Sequence, residues 1–385
     1  MIRRPPRSTL DRSSAASDVY KRQDMHVIEP SDMFEHYLDS AYQIDAPKIA
    51  RATGKRGGIF KFNGHLLPTI DSGNPDRMYG MSSRTDAATA RMRARGYDSH
   101  SQLMAMDEEG IDIAILFPTV CLYVPNGLND VNGDLSAAVC RAYNNWLYDF
   151  CQADPARLKV CAMLPQHDIV EAVKEAKRAV RDLGAVGVYM RPNFVNNVPF
   201  HTAPYEALWS TLEELNVPVG FHEGTGSVYR QDGSEFGDNR LMLHVSSHPI
   251  GMMKAVLSMI CGGVFERFSK LRAGYLEANA SWAPFWISRM DRDYELYREW
   301  DAPSLTKNPS EYFATNCWVG TEADEQELKY TLEAIGNENI VFSSDYPHHD
   351  SEFPHSVDEF IGQPGISDES KKKILWDNCA RLYGI

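Results

Sequence analysis

The sequence contains no apolar run approaching the roughly 20 residues that a membrane-spanning helix requires, so no membrane partner is expected. Positive charge is scarce: 39 Lys and Arg stand against 53 Asp and Glu, for a net charge of −14 at pH 7. Affinity for nucleic acid comes largely from Lys and Arg on phosphates, so that partner is not expected either. No two of the seven cysteines form a C-x-x-C pair. An odd, scattered set fits neither a disulfide scaffold nor a thiolate zinc site. Cys121, Cys140, Cys151 and Cys161 read as core thiols of a protein in a reducing cytoplasm. Internal repeats and a linker to a second domain are also missing.

What is present is ordinary globular material, 43% apolar and 24% charged over 385 residues, enough for one large core. Residues 1–23 stand apart. Six basic residues against Asp11 and Asp18 give this stretch +4, which leaves −18 for the remainder. It is Ser-rich and lacks the continuous apolar segment of a secretory signal. It reads as an extraneous or disordered N-terminal segment, with 24–385 as a single catalytic domain.

From Asp24 onward, short apolar runs alternate with helical patterns. Eight strands are expected at Met25–Ile28, Ile111–Phe117, Lys159–Leu164, Val186–Met190, Val217–Phe221, Arg272–Leu276, Cys317–Val319 and Ile340–Ser343. Continuous apolar runs suit parallel strands buried on both faces. Between them, apolar residues at three- and four-residue spacing predict helices at Leu135–Cys151, Ile169–Leu183, Tyr205–Leu215, Gly251–Phe268, Trp282–Tyr297, Glu325–Ile335 and Ser367–Leu382. Asp168 and Ser367 are placed to cap two of them. The rhythm is that of a distorted (β/α)8 TIM barrel with a long insertion after strand 1. That insertion, Leu38–Tyr97, is polar and Gly-rich and can serve as a lid over the barrel mouth.

Most of the strand-like runs end in a residue able to bind a metal or move a proton. Asp24 and His26 are two apart, so on a strand they point the same way and can reach one ion. His222 ends the fifth run, Glu277 the sixth and Asp345 the last. Singly, each has an ordinary alternative: a satisfied core histidine, a helix cap, a turn cap. Together, at the rim where barrel strands end, they point to a site. Arg191 ends the fourth run and can clamp a substrate carboxylate or form a rim ion pair. His248, beyond the fifth run, and His348 and His349, beyond Asp345, are candidate substrate contacts.

Several motifs carry a resemblance. Asp24-x-His26, Phe221-His222-Glu223-Gly224, Gly262-Gly263-Val264-Phe265-Glu266-Arg267-Phe268, Glu277-Ala278-x-x-x-Trp282-x-Pro284, Ser344-Asp345-Tyr346-Pro347-His348 and Ala380-Arg381-Leu382-Tyr383-Gly384 resemble the amidohydrolase-related proteins. The branch they resemble is that of aminocarboxymuconate-semialdehyde decarboxylase. The resemblance implies a barrel with one divalent metal ion, zinc first, with manganese or iron as alternatives. Carried over, Asp24, His26 and His222 become ligands, and Asp345 becomes both a ligand and a proton-exchanging group. Glu277 stands where decarboxylases of this branch usually have a catalytically important histidine. That departure favours hydrolysis of a small anionic or aromatic substrate through a metal-activated water, with Asp345 and Glu277 catalytic and Arg191, His248 and His348 binding substrate. The alternative is non-oxidative decarboxylation of an aromatic or unsaturated acid at the same site. A non-catalytic binding barrel is a further alternative. The resemblance also suggests a homodimer, with the Trp282–Tyr297 helix in its interface.

Overall fold

A computed structural model describes residues 22–50, 59–68, 86–223, 232–236, 239–302, 304–348 and 350–385. The expected N-terminal segment lies almost wholly outside these residues. Its last two residues do not, because the first strand runs Arg22–His26 and starts before the boundary set at Asp24.

Eight parallel strands form the barrel: Arg22–His26, Ile113–Phe117, Leu158–Met163, Gly187–Met190, Val219–His222, Ala273–Leu276, Cys317–Thr321 and Ile340–Phe342. Each pairs with the next in that order. The ring closes where the eighth strand meets the first, through a parallel bridge between Asp24 and Ser343 and a bond from the His26 amide to the Tyr346 carbonyl at 2.8 Å. Seven were legible as apolar runs, because strands covered by helices outside and side chains inside need no polar face. The first, expected at Met25–Ile28, runs Arg22–His26 and has only Met25 as an apolar residue.

Inside, small and large residues interleave. A Cβ at Gly220 on the fifth strand would lie 3.2 Å from the Phe117 ring of the second. The missing side chain lets Phe117 fill the barrel and stack on His222, ring centroids 5.0 Å apart. Outside, the Asp168 carboxylate caps the Ile169–Asp182 helix by accepting from the Val170 and Glu171 amides, and Ser367 caps the Asp368–Lys372 helix through the Ser370 amide, as their side chains suggested.

Two elements depart from expectation. The helix expected to start at Gly251 runs Arg240–Cys261 with Pro249 inside it. A proline removes one i→i−4 bond, and this helix continues through that loss. His244 and His248 therefore sit one turn apart on a helix instead of on a loop. In the insertion, Lys48–Ala50, Ile59–Phe62 and His65–Pro68 form a small antiparallel sheet, followed by a helix at Ala87–Ala94. The Gly-rich run Thr53–Gly58 lies outside the described residues, and so does His349. On the Ala283–Asp301 helix, Trp282 at its start and Ile287 are buried, whereas Phe285, Leu296, Tyr297 and Trp300 are exposed. All seven cysteines are free and six are buried, as core thiols would be. No described helix is long and apolar enough to cross a membrane.

Candidate metal centre and active site

The C-terminal strand ends gather the expected residues. Alternation on the first strand turns Asp24 and His26 inward while Met25 packs outward against Gln102. His222 ends the fifth strand. Glu277 and Asp345 follow the sixth and eighth strands with φ of 54° and 52°, a left-handed conformation that costs a non-glycine residue energy and clusters at functional sites. The Glu277 turn is held by Glu325, whose carboxylate accepts from the Ala280 and Ser281 amides and from the Thr321 hydroxyl.

Two overlapping sets of ligand atoms form, Asp24 with His26 and His222, and His26 with Asp345 and His348. Within each set the atoms lie within 4.8 Å of one another. His26 Nε2 is 3.2 Å from Asp345 Oδ1, and His222 Nε2 is 3.7 Å from Asp24 Oδ2. The ring orientations carry more information than the distances. His26 Nδ1 lies 2.7 Å from the Pro118 carbonyl, and His222 Nδ1 lies 2.9 Å from the Glu223 carbonyl. A carbonyl only accepts, so each Nδ1 bears a hydrogen and each Nε2 is the nitrogen turned to the site. This is the arrangement that outer partners impose on metal-binding imidazoles. Both Nε2 atoms and both Asp24 oxygens are buried without a hydrogen-bond partner.

Buried polar atoms are ordinarily satisfied, so this concentration asks for a cation. Burial pushes the Asp24 carboxyl up to about 7, against the opposing pull of His222 and His26. Burial and the Glu277 charge push Asp345 well up. A divalent ion turns such crowding from a cost into coordination.

The outer residues are tied in. His348 Nδ1 is 2.7 Å from Asp345 Oδ1 and its Nε2 is 2.9 Å from Thr119 Oγ1. Burial and the neighbouring His26 lower its pKa to about 4. That is the setting of a group that orients Asp345, rather than of the substrate contact expected from sequence. Arg191 is fully buried. Its three guanidinium nitrogens reach Asn193 Oδ1 at 2.9 Å, Glu223 Oε1 at 2.6 Å and the Leu122 carbonyl. This is the rim ion pair, not an open clamp. Glu277 Oε2 is 2.9 Å from His222 Nδ1, and its Oε1 is 3.6 Å from Nε2 of His248, which is also buried.

Sequence reasoning passed over Glu29 and Thr119. Glu29 is buried and accepts from the Thr119, Val120 and Cys121 amides at 3.3, 2.9 and 2.9 Å. It thereby fixes the loop whose Pro118 carbonyl orients His26. Its place three residues after His26 was a usable signal. Thr119 offered none beyond following a strand.

Residues 60–385 match the amidohydrolase family model. The chain belongs to the amidohydrolase family. It falls in the decarboxylase-like branch that the motifs suggested. It is 26% identical over 287 residues to a gamma-resorcylate decarboxylase of Polaromonas sp. strain JS666, covering 72% of this chain and 85% of that one. An amidohydrolase from Mycobacterium avium subsp. paratuberculosis superposes with a TM-score of 0.77 at 22% identity, over 95% of this chain and 100% of that chain. A dihydroxybenzoic acid decarboxylase from Polaromonas sp. JS666, with bound manganese and the inhibitor 2-nitroresorcinol, superposes with a TM-score of 0.65 at 20% identity, over 95% and 97%. The TIM-barrel fold is thus common to all three.

Proposed function

We propose that this chain is a metal-dependent, non-oxidative decarboxylase of a small aromatic carboxylic acid. The observation that carries the reading is the convergence of buried donors from Asp24, His26, His222 and Asp345, beside Glu277, which contacts both His222 and His248. The likeness to a gamma-resorcylate decarboxylase supports it. A non-catalytic barrel would have no use for these buried donors gathered at one rim.

Asp24, His26, His222 and Asp345 would hold one divalent ion. Such a set accepts manganese, zinc or iron, and manganese now stands ahead of zinc because a structural neighbour contains it. When bound, the ion would supply a positive centre that attracts the substrate's carboxylate and stabilises negative charge in the transition state. The chain's own groups then manage the proton. A proton adds to the ring carbon bearing the carboxyl group. The bond to that group breaks, its electron pair restores the ring, and carbon dioxide leaves. Asp345, contacted by His348, and Glu277, contacted by His248, are the acid–base groups available beside the donors.

Hydrolysis was favoured on sequence because Glu277 replaces a histidine expected on the sixth strand. His248 weakens that inference, since an imidazole reaches the same place from a neighbouring helix. The test is to incubate manganese-loaded protein with hydroxybenzoic acids and with matching esters and amides. Carbon dioxide release that disappears in His26→Ala is expected. Ester or amide cleavage without carbon dioxide would overturn the proposal.

A further inference from the structure

Resting on the decarboxylase reading, we infer that His248 donates the proton to the ring carbon, with Glu277 positioning it and His244 linking it to solvent. The reaction consumes one proton per turnover, so some group must both reach the substrate and be recharged from outside. The four proposed ligands are poorly suited. His26 and His222 each commit Nδ1 to a backbone carbonyl, and the oxygens of Asp24 and Asp345 face the cation site. His348 is held at both nitrogens, by Asp345 and Thr119.

His248 is also contacted at both nitrogens, and it differs in having a route to solvent. It comes from the Arg240–Cys261 helix, outside the barrel strands. Its Nδ1 is 3.1 Å from Ser247 Oγ, and its Nε2 faces Glu277 Oε1 at 3.6 Å. Glu277 touches both His222 and His248, so one carboxylate spans the metal side and the proton side of the mouth. A carboxylate placed against His248 Nε2 is positioned as the counter-ion that keeps a proton on that imidazole.

The outward side is equally specific. His244, one helical turn earlier, stacks on His248 with ring centroids 4.3 Å apart. Its side chain is 46% exposed, and its Nε2 lies 3.5 Å from Asp350 Oδ2, on a side chain 37% exposed. The buried imidazole thus has a solvent-facing imidazole against it and a carboxylate beyond that. A carbon acid formed inside a closed barrel needs such a route for its proton. The sequence hid it, because the helix was expected to start at Gly251, beyond both histidines, and it starts at Arg240.

The test uses the manganese-loaded full chain. Carbon dioxide release, substrate KM, metal content and exchange of the product's ring hydrogen with heavy water are followed in wild type, His248→Ala and His248→Gln. We expect kcat and ring exchange to fall together by roughly 10²–10⁴-fold, with metal content and KM retained, and added imidazole to restore His248→Ala. Full ring exchange and turnover in both variants would overturn the assignment. A second arm needs no turnover. Histidine-selective nitrogen NMR should show the His248 pKa falling in Glu277→Gln, and an unchanged titration would overturn the positioning role. Wild-type protein that releases no carbon dioxide from any acid would sink the decarboxylase reading instead, and the NMR arm would still decide how Glu277 and His248 interact.

Discussion

Replacing Asp24 with asparagine should stabilise the metal-free protein while disabling the metal centre. The substitution is nearly isosteric, and both Asp24 oxygens are buried without a hydrogen-bond partner, so no bond is lost. Burial chiefly pushes this carboxyl up to about 7 from the ordinary 3.8 of an aspartate. A carboxyl raised in the folded state costs nothing below pH 4, where both states hold the proton. Its cost grows between pH 4 and 7 and is fully present above pH 7. About three pH units correspond to roughly 4 kcal/mol. With an unfolding entropy of about 2.1 cal/mol/K per residue, a chain of 385 residues gains about 5 °C in Tm at pH 8 and little at pH 4. Metal reverses the order. At about a hundredfold excess over Kd, a ligand binding only the folded state contributes roughly 2.7 kcal/mol, some 3 °C, to wild type and nothing to the variant. Scanning calorimetry in chelator, then with added manganese, reads both effects. A variant less stable than wild type in chelator at pH 8, or one that keeps the manganese shift, would refute the assignment of Asp24.

Gly220→Ala should push Phe117 against His222, since the new Cβ meets that ring at 3.2 Å. We expect a loss of about 1–3 kcal/mol and weaker manganese binding by titration calorimetry. Glu29→Gln keeps the shape but turns an amide NH2 toward backbone donors at Thr119, Val120 or Cys121. A urea midpoint corresponding to about 1–3 kcal/mol less stability is expected, and an unchanged midpoint would deny Glu29 its anchoring role. Arg191→Met takes the guanidinium from buried Glu223 and should cost about 3–5 kcal/mol in denaturant melts. An effect confined to substrate KM would restore Arg191 as a substrate clamp.

Period and composition carried the barrel. Eight short apolar runs, each too short for a helix and each followed by a helical pattern, leave few architectures open. The same pattern placed His222, Glu277 and Asp345 at strand ends, because a barrel puts every C-terminal strand end on one rim. Asp24 and His26 stood at the opening of the first expected run and reach that rim because the strand begins at Arg22 and ends at His26. Roles that depend on a residue's partners were less legible. Arg191 and His348 have the chemistry to bind an anion, and only the distances show them engaged with Glu223 and Asp345. Pro249 carried a strong local signal for a boundary, and the helix runs through it.

The sequence by itself determined the fold, the rim and the family, since these follow from local periodicity and from motifs a few residues long. Tertiary structure alone decided which imidazole meets Glu277. Residues 248 and 277 are distant along the chain, on a helix and a strand end, and no local pattern encodes a contact of that kind. Their separation of 3.6 Å exists only because the helix after the fifth strand packs beside the end of the sixth. Glu277 looked like a missing histidine in the sequence, and in the folded chain a histidine stands next to it.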